Sequence, residues 1–101
     1  MTEAEKKQEF LAYLEDNVWG PAEKVGKENN DMTLVKGIRL TRVRISQLPT
    51  VVKMIHFFWS AVEGTDRSIN FSNIMKSYNL TRFEDVLEEV RVKFNDNWIN
   101  S

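Results

Sequence analysis

The sequence predicts a mainly α-helical protein, a compact single domain over residues 1–101 with helices near 3–18, 49–63, 68–77 and 81–97 and a short β segment near 38–46. Three observations lead there. Thr2-Glu3-Ala4-Glu5 and Thr81-Arg82-Phe83-Glu84 are capping boxes, each opening a stretch with helical apolar spacing. Pro49 to Glu63 is apolar over most of a helical circumference. No second strand-like segment exists to build a sheet. With 101 residues, 42% of them hydrophobic and 29% charged, the chain is long enough for one real core and too apolar for disorder.

The first helix carries Ala4, Leu11, Leu14 and Val18 as an apolar stripe with Phe10 beside it. Gly20-Pro21 is expected to stop it, because glycine frees the backbone and proline cannot donate to the ladder. Ala22 to Asp31 is polar and reads as a mobile loop holding at most one helical turn. Residues 33–48, TLVKGIRLTRVRISQL, fit two templates. Leu34, Ile38, Thr41, Ile45 and Leu48 share one helical face, while the β-branched residues and Gly37 favour strand from 38 to 46. Strand is the expectation, paired with a short segment near 32–36 or with a second subunit.

In PTVVKMIHFFWSAVE the polar residues Lys53, His56, Ser60 and Glu63 form one narrow stripe, as in a central helix packed on several sides. A shorter helix over 68–77 and a corner at Tyr78-Asn79-Leu80 lead to the last helix. That helix places Phe83, Val86 or Leu87, Val90 and Phe94 on one face.

Charge is segregated along the chain although the net charge is only −1. Residues 1–31 hold eight acids against four lysines; residues 32–48 hold Lys36, Arg39, Arg42 and Arg44 and no acid. Such a segment is either a basic surface for an anionic partner or folds against the acids of its own chain.

Several chemistries are excluded or disfavoured. Without cysteine there is no disulfide, thiolate nucleophile or sulfur-ligated zinc. His56 is the sole histidine; with Ser60 it makes an adjacent-turn pair that lacks an orienting third group and an oxyanion donor. Glu84, Asp85, Glu88 and Glu89 match neither a di-metal helix site nor a calcium loop. The four glycines stand alone, so no phosphate-cradling loop is present. The chain is therefore expected not to be an enzyme and to need no cofactor, metal or small-molecule substrate.

The three helices from 49 to 97 have the order of a helix-turn-helix core, but acids occupy the start of the helix that would enter DNA. The leading expectation is a small non-enzymatic interaction protein: an adaptor, inhibitor or regulatory subunit that binds another protein or itself. Lys36, Arg39, Arg42 and Arg44 are the candidate partner-binding residues, with Trp19 and Trp98 as aromatic anchors or, alternatively, core caps. The competing expectation is a helix-turn-helix-like transcriptional regulator that grips nucleic acid through 36–44. The polar N-terminus, MTEAEKKQEF, and the short apolar runs point to a cytoplasmic protein with no membrane contact.

Overall fold

The computed structural model describes residues 1–63, Tyr78, 82–96 and Trp98. Helix α1 (Glu3–Leu14) passes through a π-helical turn (Glu15–Trp19) into α2 (Gly20–Glu28). Then come α3 (Met32–Ser46), α4 (Val51–Glu63) and α5 (Arg82–Val90), which continues into a second π-helical segment (Arg91–Asp96). The fold is mainly α-helical, as expected, and no strand occurs among the described residues. The helix expected near 68–77, the corner residues Asn79 and Leu80, and Thr81 of the second capping box lie outside the described residues.

The first capping box is formed. The Glu5 N–H donates to Thr2 Oγ1 at 3.2 Å, and the Thr2 N–H donates back to Glu5 Oε1 at 3.2 Å. The helix then runs past the expected stop at Gly20-Pro21, for a steric reason. The backbone widens into a π turn whose last hydrogen bond runs from the Gly20 N–H to the Glu15 carbonyl. A Cβ on residue 20 would lie 2.7 Å from that carbonyl oxygen, so only glycine fits there. Pro21 falls in the first turn of α2, where its missing N–H costs little.

Residues 22–31 are likewise a correction: they form most of α2 and its cap rather than a loop. The buried face of α2 is made of the small residues Ala22 and Gly26, which bring the helix close to α3. A Cβ at Gly26 would approach Val35 Cγ2 to 2.9 Å. The turn out of α2 is a Schellman arrangement. Asn30 adopts φ 54°, the Asp31 N–H donates to the Gly26 carbonyl at 2.8 Å, and the Asn30 N–H donates to Lys27 at 3.3 Å. Asp31 then caps α3 by accepting from the Leu34 N–H at 3.1 Å, and it also accepts from the Tyr78 hydroxyl at 2.6 Å.

The strand expected over 38–46 is helix instead, the middle and end of α3. Val35, Ile38 and Ile45 are wholly buried. Burying each contributes about 1.5–3 kcal/mol, against a helix penalty for β-branched residues of about 0.7 kcal/mol or less. Packing therefore outweighs propensity. Thr41 satisfies its hydroxyl locally by donating to the Gly37 carbonyl at 2.7 Å.

One core cluster draws on all the described helices: α4 packs against α1 and α3, and α3 packs in turn against α2. Phe10 packs edge-on against Phe58 of α4, with centroids 6.1 Å apart, and against Phe94 at 4.9 Å. Met54, Ile55, Phe83, Val86 and Val90 fill the space around them. The polar stripe expected on α4 faces outward at Lys53, His56 and Glu63, with Ser60 half-buried. Glu3 ties α4 to α1, its carboxylate accepting from the Val51 N–H at 2.6 Å.

Candidate interaction surface

The helical course of 32–46 decides where its cations go. As a strand, Arg42 and Arg44 would share a face; on a helix they lie some 200° apart. Arg42 turns inward and is held by two acids from the first acidic segment. Its Nε and Nη2 donate to Glu15 at 2.9 and 2.8 Å, and its Nη1 donates to Glu23 at 2.8 Å. This fork geometry suits a guanidinium and fixes α3 against the π turn and α2 at once.

Burial alone would lower the Arg42 pKa, but the two carboxylates outweigh it and raise it. The same contact holds the Glu23 carboxyl below its ordinary value, chiefly through the Arg42 hydrogen bond. Arg39 reaches Glu23 at 3.8 Å while staying 58% exposed. Lys36 and Arg44 face solvent, and no described carboxylate pairs with either.

Between α1 and α3, beside this clamp, lies an open groove of about 440 Å³. Leu11, Ala12, Trp19 and Val43 line its apolar part; Gln8, Glu15, Arg42 and Ser46 form its polar edges. Along the outer face of α3, next to the groove, Met32, Leu40 and Val43 are exposed at 48%, 52% and 53%. With Lys36 and Gln47 they follow helical spacing and form one stripe. Arg39 flanks it on the groove side and Arg44 on the other.

The two tryptophan candidates pack into or against the core. Trp19 is 3% exposed; it is a wall of the groove and part of the core, not a protruding anchor. Trp98 is half-buried, edge-on to Phe94 at 4.9 Å with the Lys6 ammonium over its ring at 5.9 Å. Leu40 and Val43, absent from the sequence-derived candidates, stand at the centre of the surface. The signal for them was present as the spacing Met32–Lys36–Leu40–Val43–Gln47, which becomes visible only once 32–46 is read as helix.

Other polar clusters brace the fold. The Tyr13 hydroxyl donates to Glu89, joining α1 to α5. Burial and that carboxylate push the phenol well above its ordinary pKa, so Tyr13 is no base at neutral pH. His56 is exposed, one turn from half-buried Ser60, and neither has a third group to orient it among the described residues. No three His, Asp or Glu side chains among the described residues converge to hold a metal ion. No described helix is long and apolar enough to cross a membrane.

No protein-family model, curated protein or solved structure matches this chain.

Proposed function

We propose that this chain is a small non-enzymatic interaction protein of the cell interior, an adaptor, inhibitor or regulatory subunit that binds another protein through the outer face of α3. One observation carries the reading: exposed Leu40 and Val43 sit between cations, next to an apolar groove. An apolar centre with a charged rim is the composition of a protein-docking patch, and arginine is enriched at the energetic centres of such patches. A phosphate-binding surface would place donors where Leu40 and Val43 stand. The withdrawal of Arg42 into its clamp also leaves a nucleic acid fewer of the basic segment's charges.

The test compares immobilised wild-type protein with the double variant Lys36→Glu, Arg44→Glu in capture from a cell lysate, read by mass spectrometry. Both substitutions are on solvent-facing positions, so the variant should keep its circular dichroism and thermal midpoint. The reading expects at least one protein retained by the wild type and lost by the variant. Identical retention by both would refute it, as would retention of nucleic acid alone, sensitive to nuclease and to salt.

A further inference from the structure

The α3 surface has a charge, a length and a neighbouring cavity, and together these restrict what fits it. The stripe from Met32 to Gln47 runs about 22 Å at helical rise. Its charges are Lys36 within the stripe and Arg39 and Arg44 on its flanks, with no acid among the exposed residues of α3. The groove, at about 440 Å³, is within the roughly 300–1,000 Å³ of small-ligand pockets. It is nevertheless open, and its polar atoms at Glu15 and Arg42 already satisfy each other. A small molecule would find no convergent polar group to orient it. A large apolar side chain delivered from a neighbouring backbone would find Leu11, Ala12, Trp19 and Val43.

From this we infer that the occupant is an acidic amphipathic α-helix of another protein, laid along α3 with its carboxylates against Lys36, Arg39 and Arg44 and one large apolar side chain in the α1–α3 groove. The inference rests on the protein-binding reading above and names the chemistry of the partner.

Three alternatives fit less well. A second copy of this chain could offer α5, whose outward residues include Glu84, Asp85 and Glu88. Among the described residues there, the exposed large apolar side chain is Val92 of the π segment after α5, too small to fill the groove, and Glu88 is held by Arg91 at 2.7 Å. An anionic membrane would need a broad apolar face, whereas the opposite side of α3 is fixed in the core by Leu34, Ile38 and Ile45. A nucleic acid would have no use for the groove.

The experiment is a titration of the full chain followed by amide and indole NMR. The probes are three helix-stabilised peptides of about sixteen residues, long enough to cover the stripe. The first carries glutamates at helical spacing with a phenylalanine on the same face. The second has lysine in place of each glutamate, and the third has alanine in place of the phenylalanine.

The first peptide should move the signals of Leu11, Ala12, Val43 and the Trp19 indole. The lysine peptide should leave them in place, and the alanine peptide should bind about tenfold more weakly. Lys36→Glu with Arg44→Glu should weaken the first peptide about tenfold. Ala12→Phe, which fills the groove without changing charge, should weaken it by a similar factor.

Equal binding of acidic and basic peptides would overturn the inference. So would shifts on another face, or unchanged affinity in both variants. Anionic vesicles or DNA moving the same signals in place of the acidic peptide would overturn it too, as would movement of those signals on dilution of the protein alone. If the lysate partner depends on Lys36 and Arg44 but the acidic peptide does not bind, the protein-binding reading stands and the acidic-helix inference fails.

Discussion

Arg42 and Arg44 stand two residues apart on one helix and have opposite surroundings. Arg42 is 24% exposed, forked onto Glu15 and paired with Glu23, and it joins three successive elements of the fold. Arg44 faces water with no described partner, near exposed Leu40 and Val43. Charge in the basic segment is therefore not one patch. Its inner edge consolidates the fold and its outer face is left for something else. Two of the eight acids that a linear reading sets against the basic segment, Glu15 and Glu23, hold Arg42, so the self-folding reading of the charge segregation describes Arg42, and the partner-binding reading is a proposal for Lys36 and Arg44.

The contrast between the two faces can be broken most forcefully in the core. Ile38→Ala removes a wholly buried side chain between α3 and its neighbours and should lower stability by about 2–5 kcal/mol in urea denaturation. Leu40→Ala, two residues along, should change it by about 0.5 kcal/mol or less. Similar losses for the two would mean that the outer face is covered in solution.

Next in size is Gly20→Ala. The added Cβ must displace the Glu15 carbonyl, which lies 2.7 Å from its position. The expected cost is about 1–3 kcal/mol, measured by thermal and urea unfolding, with Glu15 pulled away from Arg42. A neutral result would show that the π turn relaxes freely and does not position the clamp.

A smaller effect should appear with pH. The Glu23 carboxyl is held below its ordinary value of 4.5 in the folded protein, mainly by the Arg42 hydrogen bond. A depressed folded value means that the unfolded chain binds more protons in acid. The stability from this contact is thus complete above about pH 4.5 and is lost as pH falls through the lower, folded value. In Arg42→Ala the largest part of the depression is gone, with Lys27 and Arg39 still acting on Glu23, so the stability gap between wild type and variant should narrow on acidification from pH 6 to pH 3. A constant gap across that range would remove Glu23 from the clamp's energetics.

Much of this architecture was legible in the residues. The Thr2–Glu5 cap, the central helix with its Lys53–His56–Glu63 stripe, and the buried face Phe83, Val86, Val90 and Phe94 follow from spacing alone. The strand expected at 38–46 failed because local propensity favours β while tertiary burial of Val35, Ile38 and Ile45 is worth more. The loop expected at 22–31 failed because Ala22 and Gly26 carry little hydrophobic signal, although their smallness is what lets α2 approach α3. The stop at Gly20-Pro21 failed because the π turn at Glu15–Trp19 leads straight into α2, whose first turn takes both residues, a local solution with no sequence periodicity. The proposed interaction surface was half visible: its cations were evident, whereas Leu40 and Val43 needed the correct helical phase.

The smallest expected change in stability is on the outer face. Lys36→Glu with Arg44→Glu should alter the unfolding free energy by about 0.5 kcal/mol or less while removing partner capture.

The division of the basic segment is tested most directly by urea denaturation of Arg42→Ala and Arg44→Ala side by side. Loss of a forked, partly buried arginine, leaving Glu23 at 19% exposure with only the longer 3.8 Å contacts of Lys27 and Arg39, should cost about 1–2 kcal/mol. Arg44→Ala should remain within about 0.5 kcal/mol of wild type. Equal costs, or a larger cost at Arg44, would contradict the separation of a fold-bearing inner edge from a free outer face.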